Sequence, residues 1–249
     1  MTQSALISLA VCFCAGAMWV RRKTWRIQWD RALTMSVAFD GLAFALVSPT
    51  QGRWLNQALF NLTGIAHLSD YFGHLLFICA VCSVIYAAAC RLVPDDELEA
   101  LLHKIEIPGA VAAAAMLGAL TLSKNITKQP RTDFFDVPCD FWLRVYWATY
   151  GVLVIYLTFF MVRLLLVLRG DPRSRTTANM FLVSAGFGLV SFGSLLVRVV
   201  GPKSISCFWI WAPLCISGAV AAFAAAWSWR GRMRSLMPDW TQPTDLEFG

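Results

Sequence analysis

Seven apolar segments dominate this chain, at about residues 4–20, 32–48, 71–90, 107–123, 141–168, 178–200 and 208–229. About 20 apolar residues in helical conformation cross the hydrocarbon core of a bilayer. Lipid offers the backbone no hydrogen-bond partner, so a spanning segment must satisfy its own N–H and C=O groups, as a helix does. The expected fold is all-α: an integral membrane bundle of about seven transmembrane helices over residues 1–229, followed by a short cytoplasmic tail, 230–249. Composition closes the soluble alternative. Charged residues make up 14% of the chain and hydrophobic ones 58%, whereas soluble domains carry about 25% charged residues.

The first apolar run, Ser4 to Val20, is followed directly by Arg21, Arg22, Lys23 and Arg26. A secretory signal places its positive charge before the apolar core, so this run reads as a retained first span. The segment from Trp54 to Asp70 is only half apolar and is expected along, or dipping into, the interface. Between the third and fourth spans, Pro94 opens a run with Asp95, Asp96 and Glu97 in its first turn and Lys104 near its end. That pattern suits a helix dipole at both poles. Leu98, Leu101 and Leu102 share one face, so a short amphipathic surface helix is expected, with a solvated connector as the alternative.

The net charge of +6 does not point to nucleic acid, because the basic residues sit at the ends of apolar runs. With the N-terminus outside, 14 of the 21 Lys and Arg residues fall on the inner side and 7 on the outer. Cytoplasmic loops carry the excess of Lys and Arg. This places the chain in the plasma membrane with its N-terminus outside and its C-terminus in the cytoplasm. Small-residue stripes, such as Gly218, Ala222 and Ala226, favour close helix packing. They suggest that spans four, six and seven are internal and that spans three and five face lipid.

Asp40 falls near the middle of the second span. An ionisable group at that depth costs roughly 2.5–3.5 kcal/mol on insertion scales, so it normally faces the bundle and has a partner. His74 and Arg198 are the candidate partners, forming with Asp40 an intramembrane polar site. Either that site handles a proton or ion, or Asp40 makes a structural polar contact. His67 and His74 are seven residues apart, on roughly one helical face, but no third or fourth ligand has metal-site spacing. No metal or cofactor is expected. Cys139 and Cys207 both fall on the outer side, where an oxidising environment allows a disulfide. The loop from Lys124 to Asp140 carries Asp133, Asp136 and Asp140 among aromatic residues and reads as a solvated loop or a recognition surface. Asn61 and Asn125 match the glycosylation acceptor.

The stretch Leu62-Thr63-Gly64-Ile65-Ala66-His67-Leu68, followed by Gly73-His74-Leu75-Leu76, resembles a motif of a family of actinobacterial multi-pass membrane proteins labelled putative transporters. That family also occurs near genes of phages and mobile elements. Its Leu-Thr-Gly-Val-Pro-Asn-Leu type of motif precedes a span bearing a histidine. Gly64 and His74 match, while Ala66 and His67 stand in place of Pro and Asn. The resemblance implies a bacteriophage or prophage protein acting at the host membrane, in exclusion or defence. Two other readings stay open from the residues: a small transporter or channel built on Asp40 and His74, and a sensor or assembly partner. The partners expected are the lipid bilayer and a membrane or cytoplasmic protein. No nucleophile elbow, P-loop, dinucleotide fingerprint or zinc-helix motif occurs, so a non-enzymatic role is expected.

The orientation is testable by labelling single cysteines in intact cells. A cysteine at Gln3 should react from outside, and one at Thr244 only after permeabilisation; the reverse pattern overturns the charge argument.

Overall fold

In the computed structural model the described residues are 2–49, 52–126, 133–200 and 206–236, and they form eight α-helices and no strand. In chain order these are α1 (Thr2–Val20), α2 (Gln28–Val47), α3 (Arg53–Thr63), α4 (Leu68–Ala89), α5 (Asp95–Leu122), α6 (Phe141–Leu168), α7 (Arg175–Val200) and α8 (Phe208–Leu236). Single 3-10 turns occur at Thr24–Arg26 and Phe134–Asp136. Most of the expected tail lies outside the described residues.

Six helices, α1, α4, α5, α6, α7 and α8, are long and apolar enough to cross a membrane. The protein is an all-helical, multi-pass membrane protein. The sequence reading had seven spans. The difference is α2, whose 20 residues include Asp30, Arg31 and Asp40. At 1.5 Å per residue it has the length to cross, but it lacks the apolarity of the other six.

Helices α1, α2, α4, α6, α7 and α8 close a ring, each packed on its neighbours in that order. Helix α5 lies outside the ring against α6 and α4, and α3 leans on α4. This corrects the expected packing for spans three and four, α4 and α5, while span seven, α8, is internal as expected. Half of the residues in the apolar windows of α4 and α8 are buried, against 28% for α5. A Cβ added at Gly109 or Gly118 of α5 would meet nothing, so those small residues are not packing devices. The close approaches lie elsewhere. A Cβ at Gly73 would collide with Val47, one at Gly151 with Phe192, and one at Gly218 with Phe44. Glycine therefore sets the spacing of α4 on α2, α6 on α7 and α8 on α2.

The expected surface helix is not a separate element. Helix α5 starts at Asp95 and runs without a break through Pro108. Proline has no N–H, so the carbonyl of Lys104, four residues earlier, loses its helical partner. The Tyr156 hydroxyl of α6 donates to that carbonyl at 2.8 Å. A side chain on the neighbouring helix thus supplies the missing bond, and the two parts of α5 remain one.

Helix α3 has 11 residues, about 16 Å at the helical rise, which is too short to cross. Trp54 and Leu62 on it are 72% and 82% exposed, while Asn56 is turned inward. Apolar residues outside and a polar one inside suit an interfacial helix, as the half-apolar sequence suggested. Gly64 ends it with φ of +72° and donates its N–H to the Phe60 carbonyl. His67, with φ of +60°, then starts α4. Two left-handed residues three apart turn the chain from the surface into the bundle, and glycine at the first is the residue that pays no steric penalty there.

Arg21 was counted among the orientation charges of the first loop, yet it is fully buried. Its guanidinium donates to the Thr34 hydroxyl at 3.0 Å, the Asp30 carbonyl at 2.9 Å and the Ala225 carbonyl at 2.6 Å. The Asp30 carboxylate is 4.0 Å away, so the hydrogen bonds define the contact more than the ion pair does. One side chain therefore ties the end of α1, the start of α2 and the far part of α8. Loss of one member of a buried charged network costs about 3–5 kcal/mol. Arg21→Ala should lower stability by that amount in detergent unfolding. The exposed Arg22, over the Trp19 ring, should be replaceable by alanine at little cost.

Candidate functional site

The ring of helices encloses a cavity of about 130 Å³, bounded by α2, α4, α6, α7 and α8. Most of its wall is apolar, including Phe44, Phe77, Phe181 and Phe192. Into it face Asp40 of α2, His74 of α4, Tyr150 of α6, and serines of α2, α7 and α8. Asp40 thus lies about two-thirds of the way along α2 and lines the cavity.

The polar groups of the wall divide into two kinds. Some are engaged. Ser184 and Ser217 exchange hydrogen bonds between α7 and α8, each hydroxyl donating to the other's carbonyl, at 2.9 and 2.8 Å. Ser191 donates to the Ile210 carbonyl at 2.7 Å. His74 Nδ1 shares a 2.7 Å hydrogen bond with the Tyr146 hydroxyl. Asp40, in contrast, has no hydrogen bond or ion pair with any described residue, and its carboxyl opens on the cavity. Polar groups in an apolar interior are normally paired. An unpaired acid facing the cavity is therefore the exception among the polar groups of this wall.

The structure brings Asp40 and His74 to one cavity but does not bond them. It separates Arg198 from both. Arg198 Nε donates to the Phe135 carbonyl at 3.2 Å, and its side chain borders a different pocket together with Arg144 and Pro138. The expected Asp40–Arg198 pairing is corrected: Arg198, near the end of α7, holds the loop above the cavity.

That loop, from Asp133 to Asp140, carries the features that sequence reasoning missed. Phe134 is buried between the two histidines, with ring centroids 4.8 Å from His67 and 5.9 Å from His74. It also touches Tyr146 and Trp147. Phe135 reaches the cavity wall and packs on Trp147 and Trp211. The alternation of Trp, Tyr and Phe in helix and loop could have suggested an aromatic cluster, but not which rings would meet. His67, with its left-handed backbone, precedes α4 and does not lie on a helical face with His74, but both rings meet Phe134. His67 Nδ1 is bound to Asp70 Oδ2 at 2.8 Å. Among the described residues no group of three or more His, Cys, Asp or Glu side chains could hold a metal ion.

Two of the loop's acids, Asp133 and Asp140, face the protein. Asp133 accepts from Gln3 of α1 at 3.1 Å, from Trp211 Nε1 of α8 at 3.3 Å, and from the Phe135 N–H at 2.9 Å. Asp140 accepts from Ser123 at 2.9 Å and from the Leu143 N–H at 2.8 Å, as the N-cap of α6. Asn125 donates its side-chain N–H to the Pro138 carbonyl at 2.8 Å, so that acceptor amide is committed to the fold. The alternative of an acidic recognition surface is therefore not the arrangement of Asp133 and Asp140; these residues fasten a cover over the cavity. Lys128 and Arg131 of the same loop lie outside the described residues. Cys139 and Cys207 are half-buried just before α6 and α8.

Compared with family models, curated proteins and solved structures, the chain matches none.

Partial burial acts to raise the Asp140 carboxyl, but hydrogen bonds from Leu143, Ser123 and Asn125 outweigh it and hold it below the ordinary carboxylate value. A carboxylate with a depressed folded pKa stabilises above its unfolded value, about 4, and that contribution is lost as pH falls through the folded one. Asp140→Ala should cost about 0.5–1 kcal/mol near neutral pH, the lower part of the N-cap range because water screens this half-exposed group. The gap between variant and native protein should close as unfolding is followed to acid pH.

Proposed function

We propose that the protein is a small transporter in which the bundle cavity takes up an organic cation with an apolar body, its ammonium group against Asp40. The unpaired Asp40 carboxyl in an otherwise apolar, aromatic-lined cavity carries this reading. A carboxylate facing a low-dielectric space attracts a positive charge strongly, and aromatic faces favour ammonium groups. The volume sets the scale. An apolar cavity of about 150 Å³ can accept benzene, so the solute is of the size of a short alkylamine or a simple aromatic amine. Tyr150, whose ring lies 4.7 Å from His74, offers a hydroxyl close to the same end of the cavity. This reading treats the protein as a non-enzyme, and it suits the transporter label of the family that Gly64 and His74 resemble.

The same reading takes α2 as a seventh crossing segment. Its acid is then sheltered by the five helices around the cavity rather than exposed to lipid, and its lower apolarity becomes a requirement of the site. The Lys and Arg distribution supports a plasma-membrane location with the N-terminus outside. The loop from Asp133 to Asp140 is then the outer cover, and the Arg21 network the inner fastening.

The test is uptake of benzylamine or butylamine into proteoliposomes, paired with direct binding in detergent. A hydrogen bond to a charged group contributes about 1.5–3 kcal/mol, so Asp40→Asn should weaken binding by about 10- to 100-fold and abolish uptake. Asp136→Asn, in the cover, should leave binding unchanged. Equal binding by the native protein and the Asp40→Asn variant would refute an amine site at Asp40.

A further inference from the structure

A second pocket of about 100 Å³ lies at the end of the bundle where α2 finishes and α4 begins. Its character is opposite to that of the central cavity. It is bordered by polar residues of α3 and its approach, notably Asn56, and by Ser69 and Asp70 from the first turn of α4. Ser69 is 1% and Asn56 7% exposed. The Ser69 hydroxyl oxygen and the Asn56 amide oxygen have no hydrogen-bond partner. Beside them, the Asp70 carboxylate has one oxygen, Oδ2, bound to His67. Two buried oxygens without partners and one carboxylate therefore face the same small space.

Buried polar groups are normally hydrogen-bonded, so an arrangement with two that lack partners implies an occupant. The fold holds the groups in place independently. Gly52 sits so close to Leu46 that a Cβ there would collide with its carbonyl, and Gly73 packs equally close on Val47. Helix α3 and the start of α4 are thereby pressed against the end of α2.

We propose that this pocket binds a monovalent alkali cation, sodium in the first instance, through Asn56, Ser69 and Asp70. The donor set is all oxygen, which suits hard cations rather than soft transition metals. Calcium sites draw on several carboxylates and take six to eight oxygens, and magnesium demands an octahedral shell. One carboxylate with two neutral oxygens matches a single positive charge. The volume leaves room for roughly two waters beside the ion, at about 30 Å³ each. Arg53 also borders the pocket, from an exposed position. Val47 lines both this pocket and the central cavity, so an ion here would stiffen the end of the helix that carries Asp40.

This inference does not depend on the amine reading, and the two can fail separately. Purified protein in detergent is unfolded thermally in sodium chloride and in choline chloride at equal ionic strength. A ligand that binds only the folded state raises the midpoint. The native protein should be several degrees more stable in sodium, with saturation as sodium replaces choline. Ser69→Ala and Asn56→Ala should each lose most of that difference while keeping or exceeding native stability in choline, because each deletes an unsatisfied group. Asp70→Asn should lose it entirely, and Asp40→Asn should retain it. The proposal is overturned if sodium and choline give the same midpoint for the native protein, or if the sodium effect survives in both Ser69→Ala and Asn56→Ala. In either case the pocket holds water alone. A shift seen with calcium or magnesium but not sodium would likewise overturn the monovalent assignment.

Discussion

Inside a bilayer a polar group cannot fall back on water, and this constraint organises the whole bundle. Each buried donor or acceptor must find a partner on another helix or leave a cost standing. The paired groups account for how the helices are joined. Arg21 binds two carbonyls and a hydroxyl from three segments. Tyr156 repairs the carbonyl that Pro108 leaves open. Ser184 and Ser217 lock α7 to α8 by a reciprocal exchange. Glycines at positions 73, 151 and 218 separately allow the close approach of α4 to α2, α6 to α7 and α8 to α2.

Against that background the unpaired groups acquire meaning. Asp40 opens on an apolar cavity, and Asn56 and Ser69 face a polar pocket near the end of the same helix. The two places differ in chemistry. A lone acid among aromatic rings is the basis of the proposed amine site. Neutral oxygens beside a carboxylate are the basis of the proposed alkali-cation site. Helix α2 touches both, and it is not among the six helices apolar enough by composition to cross a membrane. A segment of ordinary lipid-facing composition could not supply either wall.

Much of the architecture was readable from apolar runs. Helices α6, α7 and α8 start within a few residues of the expected positions, because a change from polar loop to apolar run leaves little choice. Asp40 was legible as the anomaly for the same reason: a charge at mid-span stands out in any hydropathy reading. The packing was not. Small-residue stripes pointed to α5 as internal, but a stripe shows only that close approach is permitted. Whether another backbone arrives is decided by the other helices, and none arrives at Gly109 or Gly118.

What the sequence determined by itself is the class of fold, most of the helical segments and the presence of an acid within one of them. All of these follow from local composition measured against the thickness and dryness of a bilayer. Tertiary structure alone decided who meets whom. Arg198 is bound to the loop and not to Asp40, Arg21 is an internal brace and not a surface charge, and Phe134 fills the space between two histidines. These pairings join residues far apart in the chain, with Arg21 and Ala225 separated by 204 positions. No periodicity or local propensity carries that information, because it arises only when the helices close into a ring.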